Sequence, residues 1–147
     1  AADRVAAALA RLGVARAMFD TDVLGARGSR PDGRPWLARV RHPRQPDASV
    51  ALTPVTGFLA TSGDYQYFWS PDYARNHIVD PRRGVSPGDF AAVTVRADSG
   101  LMADALSTAA FLVGRDEAPA LLARFGAHAL FVGKDGAVGR TEGFALG

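Results

Sequence analysis

Three short stretches place oxygen and nitrogen groups at spacings that could do chemistry. In ADALST, Asp104 and Thr108 stand four residues apart, so on a helix they project from one face in successive turns. A carboxylate and a hydroxyl are hard oxygen donors suited to Mg²⁺, which keeps waters or phosphate oxygens as its other ligands. The same pair also fits a purely structural role, with Thr108 bonding back to a helix carbonyl and Asp104 offsetting the helix dipole near its N-terminus. In ATSGDY, Thr61, Ser62 and Gly63 offer two hydroxyls and a backbone that a ligand can approach closely. That composition is equally one of a hairpin turn. In NHIVDPRRG, His77 and Asp80 flank two apolar residues ahead of Arg82 and Arg83. Histidine can serve as acid, base or ligand near neutrality, although a lone strand histidine also serves structure alone. His42, before Pro43 in a turn, and His128, in an apolar strand, read as structural or merely exposed.

Helices and strands must position these groups. AADRVAAALARLG sets Val5, Ala8, Leu9 and Leu12 at helical spacing and stops at Gly13, a good C-cap. A short strand follows around Ala17 to Phe19, and GSRPDGRP is a turn by composition. WLARVRH alternates from Trp36 to Val40 as a half-buried strand, and HPRQPD breaks it. SVALTPVTG and FLATSGDYQYFW read as strand-like runs around the Ser62-Gly63-Asp64 punctuation, and RRGVSPGD as a loop. FAAVTVRA is the clearest strand. It leads into a helix over LMADALSTAAFLVG, with Ser99 as N-cap and Leu101, Ala105, Leu106, Ala109 and Leu112 on the expected buried face. EAPALLARF is a further helix ending at Gly126, and HALFVGKDGAVGR is a terminal hairpin around Lys134-Asp135-Gly136. Helices interleaved with strands and hairpins predict an α+β fold, a two-layer mixed or mainly antiparallel sheet with packed helices.

Composition narrows the function classes. The chain has 147 residues, 22% charged and 48% hydrophobic, with no cysteine. It is therefore expected to be one ordinary globular domain over residues 1–147, without disulfides, a zinc ribbon or a thiol nucleophile. Seventeen Lys and Arg against fifteen Asp and Glu leave +2, and the bases are spread out, with Lys134 the single lysine. No basic stripe or recognition motif points to nucleic acid. No apolar run approaches the roughly 18 residues of a membrane span, and no signal-peptide pattern stands at Ala1, so the residues read as a soluble chain.

The three stretches occur in an order that resembles the C-terminal half of the ApbE-like FAD:protein FMN transferases. ATSGDY, HIVDPRRG, the VTV strand and MADALSTAAFLVG are similar to that family's T-S-G-x-Y, H-I-I/V-D-P-x-T-G, V-T-V and A-D-A-L-A/S-T-A. FDTDVLGARGSRPDGRPW resembles its Gly-rich segment and G-x-P-W strand, and the opening AADR the residues after its K-G-Y motif. The resemblance implies an ApbE-like fold and an Mg²⁺-dependent transfer of FMN from FAD to a Thr hydroxyl of an acceptor flavoprotein, with release of AMP. It implies Asp104 and Thr108 as metal ligands. His77 would deprotonate the acceptor or place the phosphates, and Thr61, Ser62, Gly63, His77 and Asp80 would lie toward the flavin nucleotide. Asp80 would act more by holding the loop than by chemistry. The partners implied are FAD, the acceptor, a membrane-associated electron-transfer complex and a homo-oligomeric copy of the chain. The location implied is periplasmic or exported.

Departures from the family pattern carry information too. Members run to roughly twice this length, and the part lacking here is the N-terminal half, with K-G-Y, a further metal contact and part of the FAD pocket. Asp22 and Val23 stand where relatives commonly have Gly and an acid, and Arg83 replaces a Thr. A side chain at the Gly position can obstruct a nucleotide. Two other readings therefore stand beside the transferase: a non-catalytic flavin-binding or interaction module, and an FAD pyrophosphatase that uses water in place of the acceptor.

Overall fold

The strand FAAVTVRA is buried along almost its whole length, as a strand covered on both faces must be. The structure is a computed structural model and describes residues 1–147. In chain order its elements are α1 (Ala2–Arg11), β1 (Ala17–Asp20), β2 (Leu24–Arg27), β3 (Leu37–Arg41), β4 (Ser49–Pro54), β5 (Gly57–Gly63) and β6 (Phe90–Ala97). They continue with α2 (Gly100–Val113), α3 (Ala118–Ala123), β7 (His128–Gly133) and β8 (Val138–Arg140). Six strands form one sheet in the order β1-β2-β5-β6-β7-β8, and β3 and β4 form a separate hairpin. Every pairing is antiparallel. The α+β reading holds, and the sheet is antiparallel throughout.

The helices cover one face. Phe58, Ala60, Val93, Val95 and Ala97 of the sheet pack against Ala103, Leu106, Ala110 and Phe111 of α2 and Leu122 of α3. The opposite face carries a second core, in which Leu59, Ala92, Leu130 and Val132 meet Ala38 and Val40 of β3, with Phe144 closing it. A register shift between Phe90 and Ala92 turns Phe90 onto the helix side with Val93, which simple alternation would not do. Along β5 the period of two puts Phe58 and Ala60 toward the helices and Leu59 away.

Several expectations shift in detail. Strand β2 was not apparent from LGAR because Gly25 weakens any strand pattern. Glycine is needed there since the Phe19 ring lies over it, where a Cβ would collide. Residues Tyr65–Trp69 are not a strand: β5 ends at Gly63, and a long loop runs on to β6. On α2 the expected face is rotated. Ala103, Leu106, Ser107, Ala110 and Phe111 are buried, whereas Leu101 is 71% exposed. The helix is small and apolar nearly all round, so periodicity does not single out one stripe. Leu12, expected on the buried side of α1, is 77% exposed.

The N-terminus of α2 is fully capped, which fixes where its first turns point. Asp3 of α1 accepts from Gly100 N and Leu101 N at 2.9 Å each, and Ser99 Oγ accepts from Met102 N at 3.1 Å. Ala103 N donates to Ser99 O. Loss of such a cap costs about 1 kcal/mol. Ser99→Ala should therefore lower the unfolding free energy by about 1 kcal/mol, read as a lower urea midpoint at unchanged m-value. An unchanged midpoint would show that Asp3 alone caps the helix.

Candidate active site

Strand β2 stops pairing with β5 at Leu24↔Leu59, so no strand lies beside Ala60–Gly63 on that edge. An open cavity of about 580 Å³ forms there, lined by Asp22, Thr61, Ser62, Gly63, Gln66, Tyr67, His77, Asp104 and Thr108. The TSG stretch, the His77 loop and the α2 helix thus converge in space. Thr61, Ser62 and Gly63 lie in strand, not in a hairpin turn. Val23 is buried in the helix-side core, which accounts for an apolar residue at that position.

The hydroxyls form a directed chain. Ser107 Oγ donates to the Asp104 carbonyl at 2.8 Å, Ser62 Oγ lies 2.8 Å from Ser107 Oγ, and Thr108 Oγ1 lies 2.9 Å from Ser62 Oγ. Each hydroxyl has one hydrogen. With that of Ser107 committed to the carbonyl, Ser62 donates to Ser107 and Thr108 donates to Ser62. The Thr108 oxygen is left with its lone pairs free. Thr108 therefore does not bond back to its own helix; the fully buried Ser107 does. Nor is Asp104 needed to satisfy the helix start, which Asp3 and Ser99 already cap. Asp104 and Thr108 both stand on the exposed side of α2. A carboxylate and a free hydroxyl oxygen on one face fit a small hard cation.

His77 sits in a loop, not a strand, and its ring is oriented by the chain. Its backbone N–H donates to Tyr67 O at 3.0 Å, and Nδ1 lies 3.2 Å from the same oxygen. A carbonyl only accepts, so Nδ1 carries the hydrogen, and in its neutral form the ring presents Nε2 as an acceptor. The Tyr67 and His77 rings meet edge to face, with centroids 5.6 Å apart. Asn76, fully buried, holds the same turn. Its Nδ2 donates to Tyr73 O, Ile78 N donates to its Oδ1, and its main chain exchanges two hydrogen bonds with Ser86 Oγ.

Asp80 does not line the cavity. Its nearly buried carboxylate accepts from Arg82 N at 2.9 Å and from the Arg82 guanidinium, which holds its pKa below the ordinary value. It braces the loop. His42 has a comparable role, Nδ1 accepting from Arg44 N and Gln45 N, and His128 is a half-buried strand residue.

Gln66, Tyr67 and Ser107 are site residues that sequence reasoning passed over. Ending β5 at the glycine would have freed Gln66 and Tyr67 as loop residues. A serine at a core-facing helix position is the signal for Ser107. Asp22 adopts φ 66 in the β1–β2 turn. Left-handed backbone favours glycine but is tolerated by aspartate.

A model of the ApbE family matches residues 1–131. A FAD:protein FMN transferase of Salmonella typhimurium is 30% identical over 98% of this chain and 41% of its own length. The apo crystal structure of the Pseudomonas stutzeri flavinyl transferase ApbE superposes with a TM-score of 0.78 at 36% identity, covering 96% of this chain and 46% of that one. The Thermotoga maritima ApbE protein gives 0.77 at 32% identity, over 86% and 43%. The chain spans about two fifths of the length of the curated relatives it matches.

Proposed function

The chain belongs to the ApbE family, and on that premise we propose that it is an Mg²⁺-dependent flavin transferase. It moves FMN from FAD to a Thr hydroxyl of an acceptor protein and releases AMP. The relatives' names supply the reaction class. The observation that carries the reading here is the ring of His77, whose Nε2 is the available acceptor on a cavity shared with Asp104 and Thr108.

In this reaction the acceptor's hydroxyl oxygen bonds to the FMN-side phosphorus of FAD, and the bond from that phosphorus to the AMP-side bridging oxygen breaks. His77 Nε2 takes the hydroxyl proton as the oxygen attacks, and AMP leaves with the bridging oxygen. Asp104 and Thr108 would hold Mg²⁺, which when bound neutralises charge on the diphosphate. Ser62 keeps the Thr108 oxygen turned outward by accepting its hydrogen. Thr61 is steadied by Thr94, their hydroxyls 2.8 Å apart. The glycine at 63 leaves the strand end bare, since a Cβ there would run into the Tyr65 ring.

The test is to incubate the chain with FAD, Mg²⁺ and a Thr-containing acceptor, then read covalent flavin on the acceptor and AMP in solution. Equal amounts of both support transfer. AMP without flavinylated acceptor would replace it with FAD hydrolysis, and flavin binding without AMP would leave a binding module. One observation favours a non-catalytic module as a second reading. Asp22 adds a carboxylate to the cavity from a left-handed backbone position that favours glycine. Repulsion between its carboxylate and the diphosphate at the rim costs about 1 kcal/mol, so Asp22→Gly should bind FAD about fivefold more tightly in a fluorescence titration without Mg²⁺. Its stability should stay within about 1 kcal/mol of the parent, because relief of the left-handed backbone offsets the entropy of glycine.

The proposal extends to an exported enzyme acting on flavoproteins of a membrane-associated electron-transfer complex. Immunodetection in periplasmic rather than cytoplasmic extracts would support it, and the reverse would refute it.

A further inference from the structure

The carboxylate of Asp64, directly after the T-S-G stretch, is completely buried. A buried charge is costly unless it is paired and hydrogen-bonded. Asp64 is paired twice. Arg44, from the β3–β4 connection, donates to both of its oxygens at 2.7 and 2.8 Å, and Lys134, from the β7–β8 turn, places Nζ 3.6 Å away. Three segments distant in sequence therefore meet on one carboxylate. No residue of this cluster lines the cavity, so the reaction as derived does not use it.

Both cations reach on to the same residue. The Arg44 guanidinium lies 3.9 Å from the centre of the Tyr73 ring, and Lys134 Nζ donates to Tyr73 O at 3.0 Å. Tyr73 has φ 59, left-handed backbone that a bulky aromatic residue rarely adopts and that persists only where its surroundings impose it. The Tyr73 carbonyl also accepts from Asn76 Nδ2, and Asn76 directly precedes His77. A continuous set of contacts thus runs from the end of β5 through Arg44 and Lys134 to Tyr73, then through Asn76 to His77.

We propose that Asp64 is a positioning residue, which through Arg44, Lys134 and Tyr73 locks the loop carrying His77 in place over the Ser62–Thr108 hydroxyls. This rests on the transferase reading for its catalytic consequence, though not for its structural one. An apolar residue at this position would fill the space at less electrostatic cost. It would not tie two separate turns to the Tyr73 carbonyl and ring at once. Misplacing a reacting group by about 1 Å is enough to cost about 100-fold in rate.

Two variants of the 147-residue chain test this, each read by hydrogen exchange and by kinetics. Asp64→Asn keeps the shape and removes the charge. Lys134→Met keeps the two-bond Arg44–Asp64 pair and removes the bond to Tyr73 together with the longer Lys134–Asp64 contact, so it stays informative if Asp64→Asn does not fold. Both should speed exchange of the amides of residues 65–77 by about tenfold or more while β6 amides stay protected. Both should lower kcat by about 10- to 100-fold with KM for FAD unchanged. Unchanged exchange in the loop of Lys134→Met, or exchange raised equally across the whole sheet, would overturn the proposal and leave Asp64 a general stability element. A parent chain with no flavin transfer would overturn the transferase reading instead, and loop-confined exchange would still establish the lock.

Discussion

His77→Ala is expected to lower the rate of flavin transfer by about 10²- to 10⁴-fold, the range lost when a positioned general base is removed. FAD affinity should change little. The ring is exposed, and its one polar anchor is the Tyr67 carbonyl, so its loss leaves no buried group unpaired and the fold should stand. His77→Gln separates the two duties of the ring. Its amide N–H₂ can still donate to Tyr67 O, but it offers no base, so it should be as slow as His77→Ala. If His77→Gln kept most of the rate, His77 would be placing the phosphates and some other group would take the proton. Added imidazole should restore part of the rate in His77→Ala and none in a variant that is merely misfolded.

Asp104→Ala is the second large effect. Asp104 is exposed on α2, makes no side-chain hydrogen bond that the helix needs, and lies beyond the turn capped by Asp3 and Ser99. Removing it should leave the thermal midpoint within about 2 °C, as for an exposed site outside any cap. It should also weaken Mg²⁺-dependent FAD binding by about 100-fold, since the carboxylate is the one charged donor of the pair and the Thr108 oxygen alone holds a hard cation weakly. Mg²⁺ binding followed calorimetrically gives a readout independent of turnover. An Asp104→Ala chain that retained full Mg²⁺-dependent affinity would place the cation elsewhere. In that event Asp22, on the same cavity, would be the next carboxylate to replace.

Much of this molecule can be read locally. The run of apolar and β-branched residues in FAAVTVRA marks a strand, Ser99 marks the start of α2, Gly13 marks the end of α1, and the turn at Asp135-Gly136 marks the last hairpin. These features depend on neighbours within a few residues, where backbone dihedrals and hydrogen bonds are decided. The chemical types at the site were legible for the same reason: Asp104 and Thr108 share a helix face whatever lies opposite. Misreadings fall where local rules are silent. Leu101 and Leu106 are equally apolar, and only the sheet beneath the helix decides that Leu106 is buried and Leu101 is not. Tyr65–Trp69 has a strand's composition, yet no strand stands beside it to accept its ladder.

What the sequence by itself determined is therefore most of the elements, though not β2 or the end of β5, with the cap at Ser99 and the polar residues each element presents. Only the tertiary structure decided which of those residues meet. Ser62 and Thr108 are 46 positions apart and touch because β5 lies under α2. The contact sets the direction of the hydroxyl chain and leaves the Thr108 oxygen open. Likewise the tautomer of His77 follows from the Tyr67 carbonyl ten positions away, and the burial of Asp64 from two cations brought in by separate turns. Spacing along a regular element fixes which residues share a side. What stands opposite depends on how the whole chain packs to bury its apolar surface, and no short window of sequence contains that.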